Sequence, residues 1–186
     1  YVAFFSKFKK KERQEGGYIV LVVDAGEEYR SYDHHNWQMV VDNFPATSKM
    51  VVLGSKKISL QHANIANLTD RTTLTEAIEL VLNADLTIGN ETGLTHLAYL
   101  SGIPTVCVLG GGHWGRFLPW DIFDDLVECV YEPRECAPCG WRCNYTDLRR
   151  FKAPCMERIL PEKVVAAVRR LDKKFDLQIF KADCAA

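Results

Sequence analysis

Residues 18–23 read Tyr-Ile-Val-Leu-Val-Val, a run with no charge and no alternation of polar and apolar side chains. So short a run favours a strand, and a strand that is apolar at every position needs cover on both of its faces. That requirement points to a parallel sheet with helices above and below, since parallel strands are joined by crossovers that are usually helical. The rest of the chain keeps this rhythm. Further short apolar runs fall at 49–53, 85–89, 104–110 and 126–130. Helical patterns fall between them, at 34–43, 58–66 and 92–101, the last closed by Gly102 in a C′ position. Thr73-Leu-Thr-Glu76 is a capping box ahead of Ala77, Ile78, Val81 and Leu82. Pro161 opens a last helix with Val164, Val165, Val168, Leu171 and Phe175 along one stripe. The predicted architecture is a doubly wound, Rossmann-like α/β domain around a parallel sheet.

At 186 residues, 47% hydrophobic and 25% charged, the chain has material for one substantial core. A net charge of −1 excludes bulk attraction to nucleic acid or to an anionic membrane. No apolar run approaches the roughly 20 residues that cross a bilayer. The chain begins at Tyr1 with no secretory pattern. Phe4 and Phe5 followed by "KFKKKERQEGG" make residues 1–17 an expected linker, leaving 18–186 as the folded unit.

In doubly wound sheets ligands bind beyond the carboxyl ends of the strands, which selects four loops. The first, 24–33, holds Ala25, Gly26 and the isolated cation Arg30. The second is Gly54-Ser-Lys-Lys57. The third is "GNETGLTHLA", where Thr92 is a natural N-cap and Gly93 leaves first-turn backbone N–H groups open to an anion, with His96 one turn on. The fourth is Gly110-Gly111-Gly112-His113-Trp114-Gly115-Arg116. Three consecutive glycines suit backbone that bends tightly or touches a ligand. The loop is neither a Walker A sequence nor a dinucleotide fingerprint. A capped helix with an incidental histidine remains the competing account of the third loop.

The stretch "ADLTIGNETGLTHLAYLSGIPTVCVLGG", with "GRFLPW" and the late cysteines, resembles the carboxyl-terminal half of family 9 glycosyltransferases, the heptosyltransferases of lipopolysaccharide synthesis. The resemblance runs, more thinly, from about Tyr18 to about Arg170. It implies a GT-B architecture of two facing domains, of which this chain would supply the nucleotide-sugar-binding one. The catalytic base and the acceptor surface would lie in a preceding domain, reached through the linker. By the same resemblance Thr92, Gly93, Arg30, Gly26 and Ala25 would hold the donor diphosphate, and Thr72, Thr73 and Leu74 would lie near the base. Glu91 and His96 would face the donor sugar, with Glu91 standing where the family usually has Asp. Ile58 falls near an expected acidic ribose contact. The implied reaction is an inverting transfer of heptose or a similar sugar from an ADP-heptose-like donor to a lipopolysaccharide or surface-glycan acceptor. It needs no cofactor and places the enzyme in the cytoplasm, at the inner face of the membrane. A UDP-sugar donor and a non-catalytic nucleotide-binding module are the alternatives.

Cys107 and Cys129 read as core thiols and Cys184 as a tail residue. Cys136, Cys139, Cys143 and Cys155 have spacing compatible with a structural metal, with reduced thiols packed in a loop, or with disulfides.

Overall fold

The computed structural model describes residues 17–119 and 125–180. Of the expected linker only Gly17 falls among them, and Cys184 and the Trp120 of "GRFLPW" lie outside. Six strands form one sheet: β1 Ile19–Val22, β2 Met50–Leu53, β3 Ile65–Asn67, β4 Leu86–Asn90, β5 Thr105–Val108 and β6 Val127–Val130. Their order is β3-β2-β1-β4-β5-β6, and every neighbouring pair is parallel. The strand order reverses between β1 and β4, and this switch point opens a crevice at the strands' carboxyl ends.

Strand β1 is the central element. Its alternate side chains serve opposite faces, as the two-residue repeat of a strand requires. Ile19 and Leu21 join one core with Trp37, Val40 and Val41 of helix α1 (His34–Asp42) and with the apolar stripe of the final helix (Pro161–Phe175). Val20 and Val22 join a second core with Ala77 and Val81 of α2 (Leu74–Leu82) and Ala98 of α3 (Gly93–Leu100). The expected strands and most helices stand where the periodicity puts them. The Thr73–Glu76 capping box is present with both reciprocal bonds, and Gly102 follows α3 at φ +84°.

The helix expected at 58–66 is absent, and its last residues begin β3 instead. The backbone of Ile58 is bonded by side chains from beyond that strand's start: its N–H donates to Thr69 Oγ1 (3.2 Å), and its carbonyl accepts from Asn67 Nδ2. These bonds replace a helical ladder and let Leu60 turn into the core, 2% exposed.

Gly89 seats α3 on the sheet. A Cβ there would lie 2.5 Å from Thr95 Oγ1 and 2.8 Å from Val22 Cβ. Thr95 is fully buried and donates its hydroxyl to the Asn90 carbonyl (2.7 Å), so neither neighbour has room to retreat. The Gly89→Ala variant is therefore expected to lose about 1–3 kcal/mol of stability, seen as a lower urea midpoint by circular dichroism.

Candidate functional site

The polypeptide leaving β4 enters α3 through Glu91 and Thr92 at the switch point. Thr92 has the extended backbone of an N-cap, but its hydroxyl does not cap the helix; it lies 3.3 Å from Thr95 Oγ1. The expected side-chain cap is thus corrected, and the first-turn N–H groups, which have no intrahelical acceptor, are left to other partners. A Cβ on Gly93 would meet nothing within 4 Å, and the same holds for Gly26 opposite. Both glycines border open space.

Glu91 is 8% exposed, and its carboxylate is the hub of the site. Arg30, from a short 3-10 turn at Glu28–Arg30, donates to Oε2 (2.8 Å) and to the Glu91 carbonyl (3.1 Å). His113 Nδ1 reaches Oε2 (2.7 Å) and His96 Nε2 reaches Oε1 (2.8 Å). Burial works against the charge on Glu91. The hydrogen bonds from His96 and His113 and the Arg30 guanidinium outweigh that penalty and hold its pKa down, at about 2. An ionised carboxylate only accepts, so both histidines donate to it. His96 Nδ1 is then left to accept from the Tyr99 hydroxyl.

Two cavities meet along Gly26, Thr92 and Gly93 and form one groove. The half of about 510 Å³ is the more polar one: it holds the charged side chains Arg30 and Glu91 with His96 and His113, beside Tyr99, Leu100 and Phe117. The half of about 570 Å³ is lined by Ala25, Thr72, Thr73, Leu74, Ile78 and Leu97. The structure so brings together the residues expected for diphosphate, base and sugar. Ile58 is not among them: it lines a separate polar cavity with Asp24, Lys56, Lys57 and Lys152.

The glycine-rich loop departs from expectation. Gly110, Gly111 and Gly112 are buried and do not line the groove. A Cβ on Gly110 or Gly112 would lie 2.5 or 2.3 Å from the indole of Trp141, and one on Gly111 would press on Ala137. The missing side chains make room for the cysteine-rich loop, not for a ligand. Arg116 is exposed over the Phe117 ring, and of the expected loop residues only His113 reaches the groove.

Trp141 is the residue that sequence reasoning missed. Its backbone has φ +63°, unusual for a side chain of this size. Its indole packs with Tyr29 (centroids 5.4 Å), with His113 (5.5 Å) and under the Arg30 guanidinium (5.8 Å). The only signal for it in the sequence is the glycine triplet, which needs a large partner, and "CGWRC" supplies one. Cys155 is buried beneath the same loop, with Sγ accepting from the Gly111 N–H (3.4 Å), and burial pushes its thiol pKa up. Cys136, Cys139 and Cys143 are free thiols, and among the described residues no group of three or more His, Cys, Asp or Glu could hold a metal ion. Cys107 is buried as expected, and Cys129 is half-buried against the core around Tyr99.

Switch-point groove and parallel sheet together define a doubly wound α/β unit with the fold found in GT-B transferases. Residues 4–146 match the model of glycosyltransferase family 9 (heptosyltransferase), and the chain belongs to that family. It is 24% identical over 183 residues to lipooligosaccharide heptosyltransferase 2 of Campylobacter jejuni, covering 90% of this chain and 56% of that protein. E. coli ADP-heptose lps heptosyltransferase II shares the fold, with a TM-score of 0.64 at 15% identity, over 94% of this chain and 52% of that one. The iron-containing, dodecameric heptosyltransferase TibC of enterotoxigenic E. coli, solved with ADP-D-beta-D-heptose, gives a TM-score of 0.63 at 15% identity, over 91% and 49%. The chain thus spans about half the length of the relatives it matches. No helix among the described residues is long and apolar enough to cross a membrane.

Glu91 supplies a pH signature. Its folded pKa lies below the usual 4.5, so its contribution to stability is complete above about pH 4.5 and is lost as pH falls towards 2. Glu91→Gln should be less stable at neutral pH, by up to about 3 kcal/mol, with the deficit shrinking on acidification. Urea midpoints of both proteins between pH 7 and pH 3 measure it.

Proposed function

We propose that this chain is the donor-binding unit of an inverting GT-B glycosyltransferase that takes a nucleoside-diphosphate heptose, or a similar sugar. The observation that carries this reading is the Glu91 cluster beside an uncapped helix N-terminus at the sheet's switch point. Residues 18–186 form the nucleotide-sugar-binding unit, and 1–17 link it to an acceptor-binding half that holds the catalytic base. The nucleobase lies in the less polar half of the groove, over Thr72, Thr73 and Leu74 and against Ile78 and Leu97. The diphosphate bridges the boundary at Gly26, Ala25, Thr92 and Gly93, facing the positive end of α3 and Arg30. The sugar faces His96 and Glu91, whose Oε1 accepts one bond among the described residues and keeps capacity for a hydroxyl.

In the transfer an acceptor hydroxyl attacks the anomeric carbon as its proton passes to the base of the other half. The bond from that carbon to the distal phosphate breaks, and its electron pair stays on the phosphate oxygen. The groove stabilises the charge that grows there, through backbone N–H groups and the Arg30 fork. This chemistry calls on no cofactor. The acceptor is a lipopolysaccharide or other surface glycan met at the cytoplasmic face of the membrane.

Calorimetry with ADP and UDP tests the reading. The chain should bind ADP saturably. Gly93→Val and Gly26→Val should abolish binding while leaving the thermal midpoint unchanged, because their side chains enter open groove rather than core. Arg30→Ala should weaken binding about 10- to 100-fold, the usual loss for a charge-assisted contact. No heat from either nucleotide at millimolar concentration overturns the proposal, and a preference for UDP moves the donor to a UDP-sugar.

A further inference from the structure

His113 is the partner of Glu91 whose ring is only half engaged. His96 uses both nitrogens, one on Glu91 and one on Tyr99. His113 commits Nδ1 to Glu91 Oε2 at 2.7 Å, and Nε2 has no hydrogen-bond partner among the described residues. The ring is nevertheless well held. Phe117 meets it edge-on at 4.8 Å and 80°, and Trp141 does so at 5.5 Å and 78°. It lines the polar half of the groove together with Arg30 and Gly93. A histidine whose Nδ1–H is fixed by a carboxylate presents Nε2 in one defined state, and its ring stays put when it gains a proton.

We infer that His113 binds the distal phosphate of the nucleoside diphosphate through Nε2 as an imidazolium, with Glu91 as its counter-charge, so that donor binding takes up a proton. The inference rests on the donor-groove reading above. A neutral Nε2 carries only a lone pair and would face phosphate oxygens acceptor to acceptor; once protonated it donates. The charged and titratable groups facing the ring are Glu91 and His96 from the start of α3, Arg30 from the 3-10 turn, and Arg116 on its own loop across Phe117. Trp141, from the cysteine-rich loop, brings no charge. In the empty groove Arg30 already balances Glu91, so a proton on His113 adds a net positive charge. The negative charges of a diphosphate reverse that preference, and by linkage the proton strengthens diphosphate binding as much as the diphosphate favours the proton.

The test is calorimetry of ADP and AMP with this chain, in buffers of differing ionisation enthalpy, from pH 6 to pH 8.5. His113→Asn keeps an amide where Nδ1 meets Glu91 but has nothing in place of Nε2. His113→Gln offers a neutral donor near Nε2. The wild type should take up a fraction of a proton with ADP near neutral pH, beyond that of the nucleotide itself, and none with AMP. H113N should abolish that uptake and weaken ADP binding roughly tenfold at pH 6 but less than about twofold at pH 8.5. H113Q should recover part of the affinity without the uptake. ADP binding by the wild type that H113N leaves unchanged in affinity and in proton count overturns this inference alone. Equal sensitivity of AMP and ADP to H113N does the same, since it removes the distal phosphate from the contact. Absence of any ADP binding by the wild type overturns the donor-groove reading and this one together.

Discussion

The Glu91 carboxylate, nearly closed off from water, ties together three parts of the chain that have no other reason to meet. Arg30 comes from the connection after β1, His96 from the first turns of α3, and His113 from the loop after β5. Burying a carboxylate is unfavourable by several kcal/mol unless its oxygens find partners, and removing one partner of a buried pair costs more than the pair itself contributes. The three donors are therefore mutually dependent. Together they fix the polar wall of the groove at the place where β1 and β4 diverge.

Behind that wall stands a second layer that is mostly packing. The glycine triplet and Trp141 fit as a slot and a wedge, and the wedge supports Arg30 from one side and His113 from another. Arg30 Nε and Trp141 Nε1 are buried donors without an acceptor among the described residues. The cysteine-rich loop contributes through Trp141. Beneath it, Cys155 accepts from the Gly111 N–H, and burial pushes its thiol pKa up.

Much of this was legible in the sequence where local pattern decides structure. The apolar run at 18–23 needed cover on both faces and received it, and Thr73 and Glu76 capped α2 through contacts three residues apart. The readings that failed turned on which partner each group meets in the fold. Residues 58–66 carry apolar spacing suited to a helix, but Asn67 and Thr69 take the backbone groups of Ile58 first. Thr92 has the identity of a cap, yet its hydroxyl lies beside Thr95 instead. The glycine triplet looked like a ligand loop because its true occupant, Trp141, lies some thirty residues away and enters from another loop. The individual members of the Glu91 cluster were visible as candidates. Their convergence was not, because Arg30 and Glu91 are separated by 61 residues and only the strand order makes them neighbours.

The two halves of the groove divide the work of recognition unequally. In the proposed reading Thr72, Leu74, Ile78 and Leu97 would give the base apolar surface and hydroxyls, contacts that are the same before and during bond breaking. They can contribute affinity but cannot by themselves lower a barrier. In the proposed reading the polar half differs, because its donors would face the atoms on which charge accumulates as the sugar departs. A preformed cluster has already met its reorganisation cost in folding, since Glu91 by itself holds Arg30 and both histidines. In the proposed reading, then, a residue that need never touch the breaking bond sets how strongly the site responds to it. Glu91 does this by keeping three donors in place and by carrying the negative charge that allows a further proton to join them when the diphosphate arrives.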